Sequence, residues 1–421
     1  MSFKSSKEVF FGLSSFEMLA MFRRGLFYTY LSIYLREFLS LSVTETTLYA
    51  TLPMIMSVLF QNFVWGPISD RFQKRKTLII LGEILAGIGT SSVWFIHFLA
   101  IDYIIAGYIV ILGLTVIEAF WSMSNIGWSA LISDIYSSKE RSKVMGQLSS
   151  IGGLGRLFGI FIGGILYDNG FGFRNGPLFI VASLVMFIST LPMLFTPEGG
   201  LKLKIGLNNN SIQNENHKDN YKSIFMIFIV ALLFINFGRN SISVVYSQYL
   251  VLNDGFNVDS ILLSYIANMR SVATLIFGFI IGSFSKKFGD SKTLIIGISL
   301  AILALLLTAL SDTLIFIFVG SFLLGTSEVI IGAATYSIAS ILIPAKSRGK
   351  LFGIYNTTFF LSWGLACTII TGPIIDLLIY NGFSDVFSYQ VSFIVAALIT
   401  SIGLIIFIFL EIMLRSKRIK N

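Results

Sequence analysis

The chain has 421 residues, of which 55% are hydrophobic, 14% aromatic and only 12% charged; soluble domains run at roughly 45–50% apolar and ~25% charged, so a soluble globule is excluded. Forty Phe and 37 Gly, with a mean hydropathy of +0.82, fit a polytopic helical membrane protein, while the single cysteine, Cys367, allows neither an intramolecular disulfide nor a cysteine zinc cluster. A net charge of +8 would point to nucleic acid only if the basic residues gathered on one solvated face, and their placement follows a different rule.

Crossing a ~30 Å hydrocarbon layer takes about 20 apolar helical residues. Twelve such stretches occur in order, near residues 9–35, 46–68, 77–98, 103–131, 144–167, 177–196, 223–251, 260–284, 293–311, 313–343, 350–380 and 389–412. No alternating barrel pattern is present, and Thr293 to Leu310 runs for eighteen residues without a charge, which is a helix signal. The first stretch follows Lys4 and Lys7 as a signal peptide would, but Glu17, Arg23 and Arg24 interrupt it and no small-residue cleavage site follows, so it reads as a retained span.

With twelve spans, alternate connections share a side. The termini and the loops on their side hold 23 of the 30 Lys and Arg residues, the opposite loops hold only Arg36 and Arg174, and five lie within spans. The positive-inside rule then places both termini in the cytoplasm of a plasma-membrane protein, and this bias explains the basic charge without nucleic acid. The longest interior gap, residues 196–222, is rich in Asn and reads as a flexible cytoplasmic linker. It divides the chain into six-helix halves, residues 1–195 and 223–421. The sequon at Asn209 falls in this linker, on the side where glycosylation is not expected.

A shift of 216 residues aligns Lys76-Thr77-Leu78-Ile79-Ile80 with Lys292-Thr293-Leu294-Ile295-Ile296, Gly66 with Gly282, Phe72 with Phe288 and Arg23 with Arg239. Six spans return the chain to its starting side, so the copies are parallel repeats, an arrangement used by transporters that rock two bundles about a midplane site. The loop after the second span reads Gly66-Pro67-Ile68-Ser69-Asp70-Arg71-Phe72-Gln73-Lys74-Arg75-Lys76. Its pattern of Gly, three residues, Asp, Arg, any residue, Gly and then basic residues resembles the corresponding loop of the major facilitator superfamily; only the second Gly departs, as Gln73. The second copy, Gly282 to Asp290, keeps both glycines and has Lys286 in place of the acid. Gly146, Gly155, Gly159, Gly163 and Gly164 are similar to the helix 5 glycine pattern of the family's antiporters, with Ile160 where Pro is expected. An Arg three residues before a Gly, as in helix 4 of its proton antiporters, is not evident, and Glu118 is the charge there instead.

The resemblance extends over essentially the whole chain. It implies an all-α integral membrane fold of twelve transmembrane helices in two pseudo-symmetric six-helix bundles. It also implies a cytoplasmic gating motif at Gly66, Asp70, Arg71, Lys74 and Arg75, and a central cavity lined by helices 1, 4, 7 and 10. Those four carry Glu17, Arg23, Arg24, Glu118, Arg239 and Glu328. A lipid-facing charge costs at least ~2.5 kcal/mol at a helix centre, so these residues face protein or water.

Arg23 and Arg239 lie about 20 to 23 Å from the inner ends of their spans, at a rise of 1.5 Å per residue, and Glu118 and Glu328 about 22 Å from their outer ends. An arginine fork suits carboxylate or phosphate, and a desolvated glutamate can exchange a proton. The expected substrate contacts are Arg23, Arg239, Tyr30, Tyr246, Asn236 and Asn240, and the expected proton-coupling residues are Glu118, Glu328 and Glu17. The bland alternative is that these groups form interhelical ion pairs and hydrogen bonds; Arg156, Arg270 and Glu83, off the cavity helices, suit it best, and Arg24 points about 100° away from Arg23. His97 reads as interfacial.

Metalloprotease, nucleotide-binding and nucleophile-elbow signatures are all missing. The expectation is a monomeric secondary transporter in the lipid bilayer, not an enzyme, without cofactor or metal, taking a small-molecule substrate with H+ as coupling ion. The helix 5 glycines favour proton-coupled export of small organic compounds or drugs. Paired arginines favour the alternative, uptake or exchange of an organic anion or phosphate ester; a non-transporting receptor or scaffold is the alternative of another class.

Overall fold

A computed structural model of the chain describes residues 6–136, 138–200, 221–343 and 348–419. Its helices are α1 (Ser6–Ile33), α2 (Val43–Phe72), α3 (Arg75–Leu99), α4 (Tyr103–Ile135), α5 (Ser138–Tyr167) and α6 (Pro177–Met193), then α7 (Tyr221–Asn240, resuming at Val245–Val251), α8 (Ser260–Phe288), α9 (Asp290–Leu310), α10 (Leu314–Leu342), α11 (Arg348–Ala366, continuing to Gly372–Tyr380) and α12 (Asp385–Ile419). They coincide with the twelve expected spans, and no strand occurs among the described residues. Ten helices among those residues are long and apolar enough to cross a membrane. Of the other two, α1 carries three interior charges, and α6 has only 17 residues. Most of the expected linker, with Asn209 and its sequon, lies outside the described residues.

Two helices widen at matching sequence features. A π turn over Gln61–Trp65 precedes Gly66-Pro67 in α2, and another over Cys367–Thr371 precedes Gly372-Pro373 in α11. Proline has no N–H and crowds the carbonyl four residues back, and one wider turn relieves both conflicts. In α7 the helix opens between Asn240 and Val245. Its freed carbonyls are met by α11: Thr371 Oγ1 donates to the Ser241 carbonyl at 2.5 Å, and Cys367 Sγ donates to the Asn240 carbonyl at 3.5 Å. Such pairing is what allows irregular backbone at membrane depth.

The chain forms two compact units. One takes in α1, α3 to α6, most of α2 and residues 259–268 of α8; the other takes in residues 42–47, α7, α9 to α12 and the rest of α8. In the first, α1 lies directly on α5. A β-carbon at Gly155, Gly159 or Gly163 would intrude on the carbonyl oxygen of Met18, Phe22 or Leu26 respectively, so the glycine face lets the two backbones touch. Gly146 differs, with nothing within 4 Å of such an atom. The second unit packs Phe225, Phe228 and Ile235 of α7 against Leu294 and Ile298 of α9, Ile331 of α10 and Phe407 of α12. Large apolar side chains such as Phe63, Phe279 and Phe409 stand exposed, as a lipid-facing belt requires.

Candidate functional site

In the first unit, α1 presents adjacent arginines to one indole. The guanidinium carbon of Arg23 lies 4.0 Å from the Trp121 ring centroid and that of Arg24 at 4.9 Å. Trp121 Nε1 donates to Glu83 Oε1 at 2.9 Å, and Ser124 Oγ donates to the same oxygen at 2.9 Å. Trp121 therefore links α1 to α3 through its face and its edge. Arg23 is 3% exposed, Glu83 1% and Glu118 8%, whereas Arg24, Glu17 and Tyr28 are half-buried. So Arg23 is the enclosed member of the pair and Arg24 the accessible one. Among the described residues, no ion pair within 4.0 Å joins either arginine to Glu17, Glu83 or Glu118.

Glu118 has the Ser57 hydroxyl of α2 as a hydrogen-bond partner. Tyr30, fully buried, donates to the Ile160 carbonyl at 2.8 Å and so joins α1 to α5. His97 lies in the last turn of α3 and is fully buried in protein. Its Nδ1 donates to the Trp94 carbonyl at 2.8 Å, which leaves Nε2 to accept from the Tyr34 hydroxyl at 2.8 Å. The Tyr34 and Phe179 rings pack against the imidazole, and Phe173 packs behind both of them.

In the second unit, Asn236 Nδ2 donates to Thr358 Oγ1 at 3.2 Å and Asn240 Nδ2 to Ser362 Oγ at 2.8 Å. Both pairs are spaced four residues apart, so one face of α7 is laddered to one face of α11. Arg239, 7% exposed, donates through Nε to Asn236 Oδ1 at 3.2 Å and lies 5.9 Å from the Phe359 ring centroid. Tyr246 and Ser321 share a hydroxyl contact of 2.5 Å. Glu328 is ion-paired: Arg270 approaches its Oε2 through Nε at 2.9 Å and Nη2 at 2.8 Å, with 23% and 28% of the Arg270 and Glu328 side chains accessible. The Arg270 guanidinium carbon also sits 5.6 Å from the Trp363 ring centroid.

At the α2–α3 turn, Gly66 begins the segment that ends at Phe72, and Gln73 turns the chain with φ 56. Its counterpart at the 216-residue offset, Gly289, has φ 84. The departure from Gly thus leaves the left-handed turn in place, at a cost that Gly would avoid. Arg75, 6% exposed, reaches Asp134 and Asp70 at 3.3 Å each and also bonds Ser69. Asp134 accepts from the Gly200 N–H at 2.9 Å, and the Glu198 carboxylate accepts from the Thr77 N–H at 3.0 Å. Arg71 and Lys74 are exposed and stand outside this network. In the second copy the acid has moved to Asp290, which accepts from Ser285 and Ser337.

The structure thus gathers Arg23, Arg24 and Glu118 about Trp121. Asn236, Asn240 and Tyr30 are committed to interhelical bonds, and Glu328 is paired with Arg270. Trp121, Trp363 and Ser57 escaped sequence reading, because an indole or a single hydroxyl inside an apolar span carries no distinguishing pattern.

The family model described as Major Facilitator Superfamily matches residues 13–363 and 227–420. Multidrug resistance protein 2 of Bacillus subtilis (strain 168) is 24% identical over 326 residues, 75% of this chain and 76% of that protein. Multidrug resistance protein MdtG of Yersinia enterocolitica is 27% identical over 309 residues, 70% of this chain and 68% of that protein. Among solved structures, the nucleoside transporter NupG superposes with a TM-score of 0.73 at 13% identity, covering 96% of this chain and 99% of that one. A bacterial homologue of the human lysosomal transporter Spinster gives 0.68 at 16% identity, over 96% and 97% of the two chains. At these identities the structures speak to the fold alone.

Proposed function

The chain belongs to the major facilitator superfamily of multi-pass membrane transporters, and from that premise we propose that it exports small organic compounds across the plasma membrane in exchange for protons, with both termini in the cytoplasm. The export direction draws on the multidrug resistance proteins to which it is similar. The proton step draws on one observation: Glu118 is 8% exposed and, among the described residues, has no cation within 4.0 Å. A carboxyl so placed, enclosed by protein and without a contacting counter-ion, is suited to take up and release a proton. Glu328 is less suited, since it is already held in an ion pair by Arg270 at 2.8 Å.

The test is accumulation of ethidium, an aromatic cation, by proteoliposomes with an acidic interior. Wild-type protein accumulates the dye until a protonophore is added, and Glu118→Gln abolishes accumulation while dye binding persists. Normal gradient-driven accumulation by Glu118→Gln overturns the assignment. The second reading, exchange of an organic anion, draws on Arg23, whose Nη2 has no hydrogen-bond partner. In the second unit Arg239 binds Asn236 through Nε, which leaves the end of its fork for the same role.

A further inference from the structure

Two helices, α2 and α8, divide between the units, and the 216-residue offset relates them. Residues 42–47, where α2 begins, belong to the second unit. There both carboxylate oxygens of Asp376, in the last segment of α11, face the first N–H groups of α2: Val43 N–H donates to Oδ1 at 2.9 Å and Thr44 N–H to Oδ2 at 2.8 Å. Thr46 Oγ1 accepts from Gln248 Nε2 at 2.9 Å, the Thr47 and Thr368 hydroxyls are 2.6 Å apart, and a β-carbon at Gly372 would stand 3.0 Å from the Thr44 α-carbon. The start of α2 is thus seated on α7 and α11. Among the described residues no cation lies within 4.0 Å of Asp376, so its charge is met by the positive end of the α2 dipole.

Helix initiation does not explain this carboxylate. Ser42 Oγ accepts from the Glu45 N–H at 3.2 Å and Glu45 Oε2 accepts from the Ser42 N–H at 2.8 Å, a capping box within α2 itself. At the matching start of α8 its own Asp259 suffices, accepting from the Leu262 N–H at 2.7 Å. We propose that Asp376 is a positioning residue of the transport cycle: its carboxylate is a latch that seats the start of α2 on α7 and α11 and lets go when the bundles rock. From Leu48 onward α2 belongs to the first unit, so when one bundle moves against the other either this seat opens or α2 breaks after its first turn. Opening is the easier event, because the seat's bonds join hydroxyls, an amide and a carboxylate, each of which water serves once it is released.

The latch rests on membership of a transporter family and not on the solute or on Glu118. Thr47 is 0% exposed, so a cysteine there meets a soluble maleimide only while the seat is open. In purified protein with Cys367→Ser, Thr47→Cys is alkylated slowly, and adding Asp376→Asn raises the rate about tenfold or more, the factor that loss of a charge-assisted bond implies. A cysteine at Ser189, 1% exposed in α6, shows no such rise, which separates release of the latch from general loosening. The seat can also be held shut with Asp376 intact: Thr47→Cys and Thr368→Cys form a disulfide under oxidant, and it arrests ethidium accumulation in proteoliposomes until it is reduced. A fixed joint would carry the same disulfide without loss of transport. If the wild-type protein does not move ethidium, the solute reading fails and the alkylation rates decide on the latch alone; should Asp376→Asn not fold, the disulfide decides. An alkylation rate unchanged by Asp376→Asn, a disulfide that does not form, or full accumulation with the disulfide closed overturns the proposal.

Discussion

Gly146 and Gly159 belong to one sequence pattern, yet alanine should act on them in opposite directions. At Gly163 a β-carbon would stand 2.6 Å from the Leu26 carbonyl oxygen, 0.4 Å inside the 3.0 Å that real β-carbons respect, and at Gly159 the intrusion on the Phe22 carbonyl is deeper. Neither obstacle can rotate away, since both are backbone, so α1 and α5 must part. Overpacking of this kind costs about 1–3 kcal/mol, and the backbone character of the clash places Gly159→Ala at the upper end. Alanine returns about 1 kcal/mol in helix propensity at either position. Gly146→Ala collects that gain without a clash, because nothing lies within 4 Å. The two variants should therefore differ by about 3 kcal/mol, or several degrees in melting temperature. Thermal melts in one detergent check this, with Gly159→Ala below wild type and Gly146→Ala at or above it. Equal melting of the two variants would refute the close α1–α5 contact.

Arg270→Ala should lower stability by about 1–3 kcal/mol, less than a fully buried pair would lose, because about a quarter of each side chain is accessible; the double change Arg270→Met with Glu328→Gln should recover much of the loss in the same melts. Arg75→Ala should cost about 3 kcal/mol by removing the buried Arg75–Asp134 ion pair, while the exposed Lys74→Ala stays within about 0.5 kcal/mol of wild type. Cysteines placed at Ser5, Asn209 and Lys417 should react with an impermeant maleimide only after cells are opened; Cys367 is buried and gives little background. Labelling of any one in intact cells rejects the cytoplasmic placement.

The spans could be read from the sequence because a bilayer allows few solutions: about 20 apolar residues per crossing, all backbone bonds made within the helix. The direction of each polar side chain could not. Arg23 and Arg24 differ by one residue and about 100°, and only the position of Trp121 decides that Arg23 is enclosed and Arg24 accessible. Glu328 and Arg270 are 58 residues apart, and no local pattern pairs them. Asn236 and Asn240 were half legible: their spacing of four matches that of Thr358 and Ser362, but which distant face receives them depends on helix packing.

The duplication itself separates scaffold from chemistry. At the 216-residue offset Arg23 corresponds to Arg239, but Glu83, Glu118 and Trp121 correspond to Ser299, Ala334 and Ser337. In the other direction, Arg270 and Glu328 correspond to Met54 and Leu112. Each half therefore retains the arginine and surrounds it differently. In the first unit the Arg23 guanidinium has an indole face, a nearby unpaired acid and an unmet donor. In the second, Arg239 has the Asn236 amide, and the acid is held by Arg270. A titratable step needs a carboxyl free of a permanent cation, and an anion site needs a donor not already spent within the protein. The first condition is met by Glu118 beside Arg23 and not by the acid that Arg270 holds, whereas the second is not what separates the halves, since the bond that Arg239 makes uses Nε and not the end of its fork; removing the charge of Arg23 should therefore alter the proton response, while removing that of Arg239 should leave it in place.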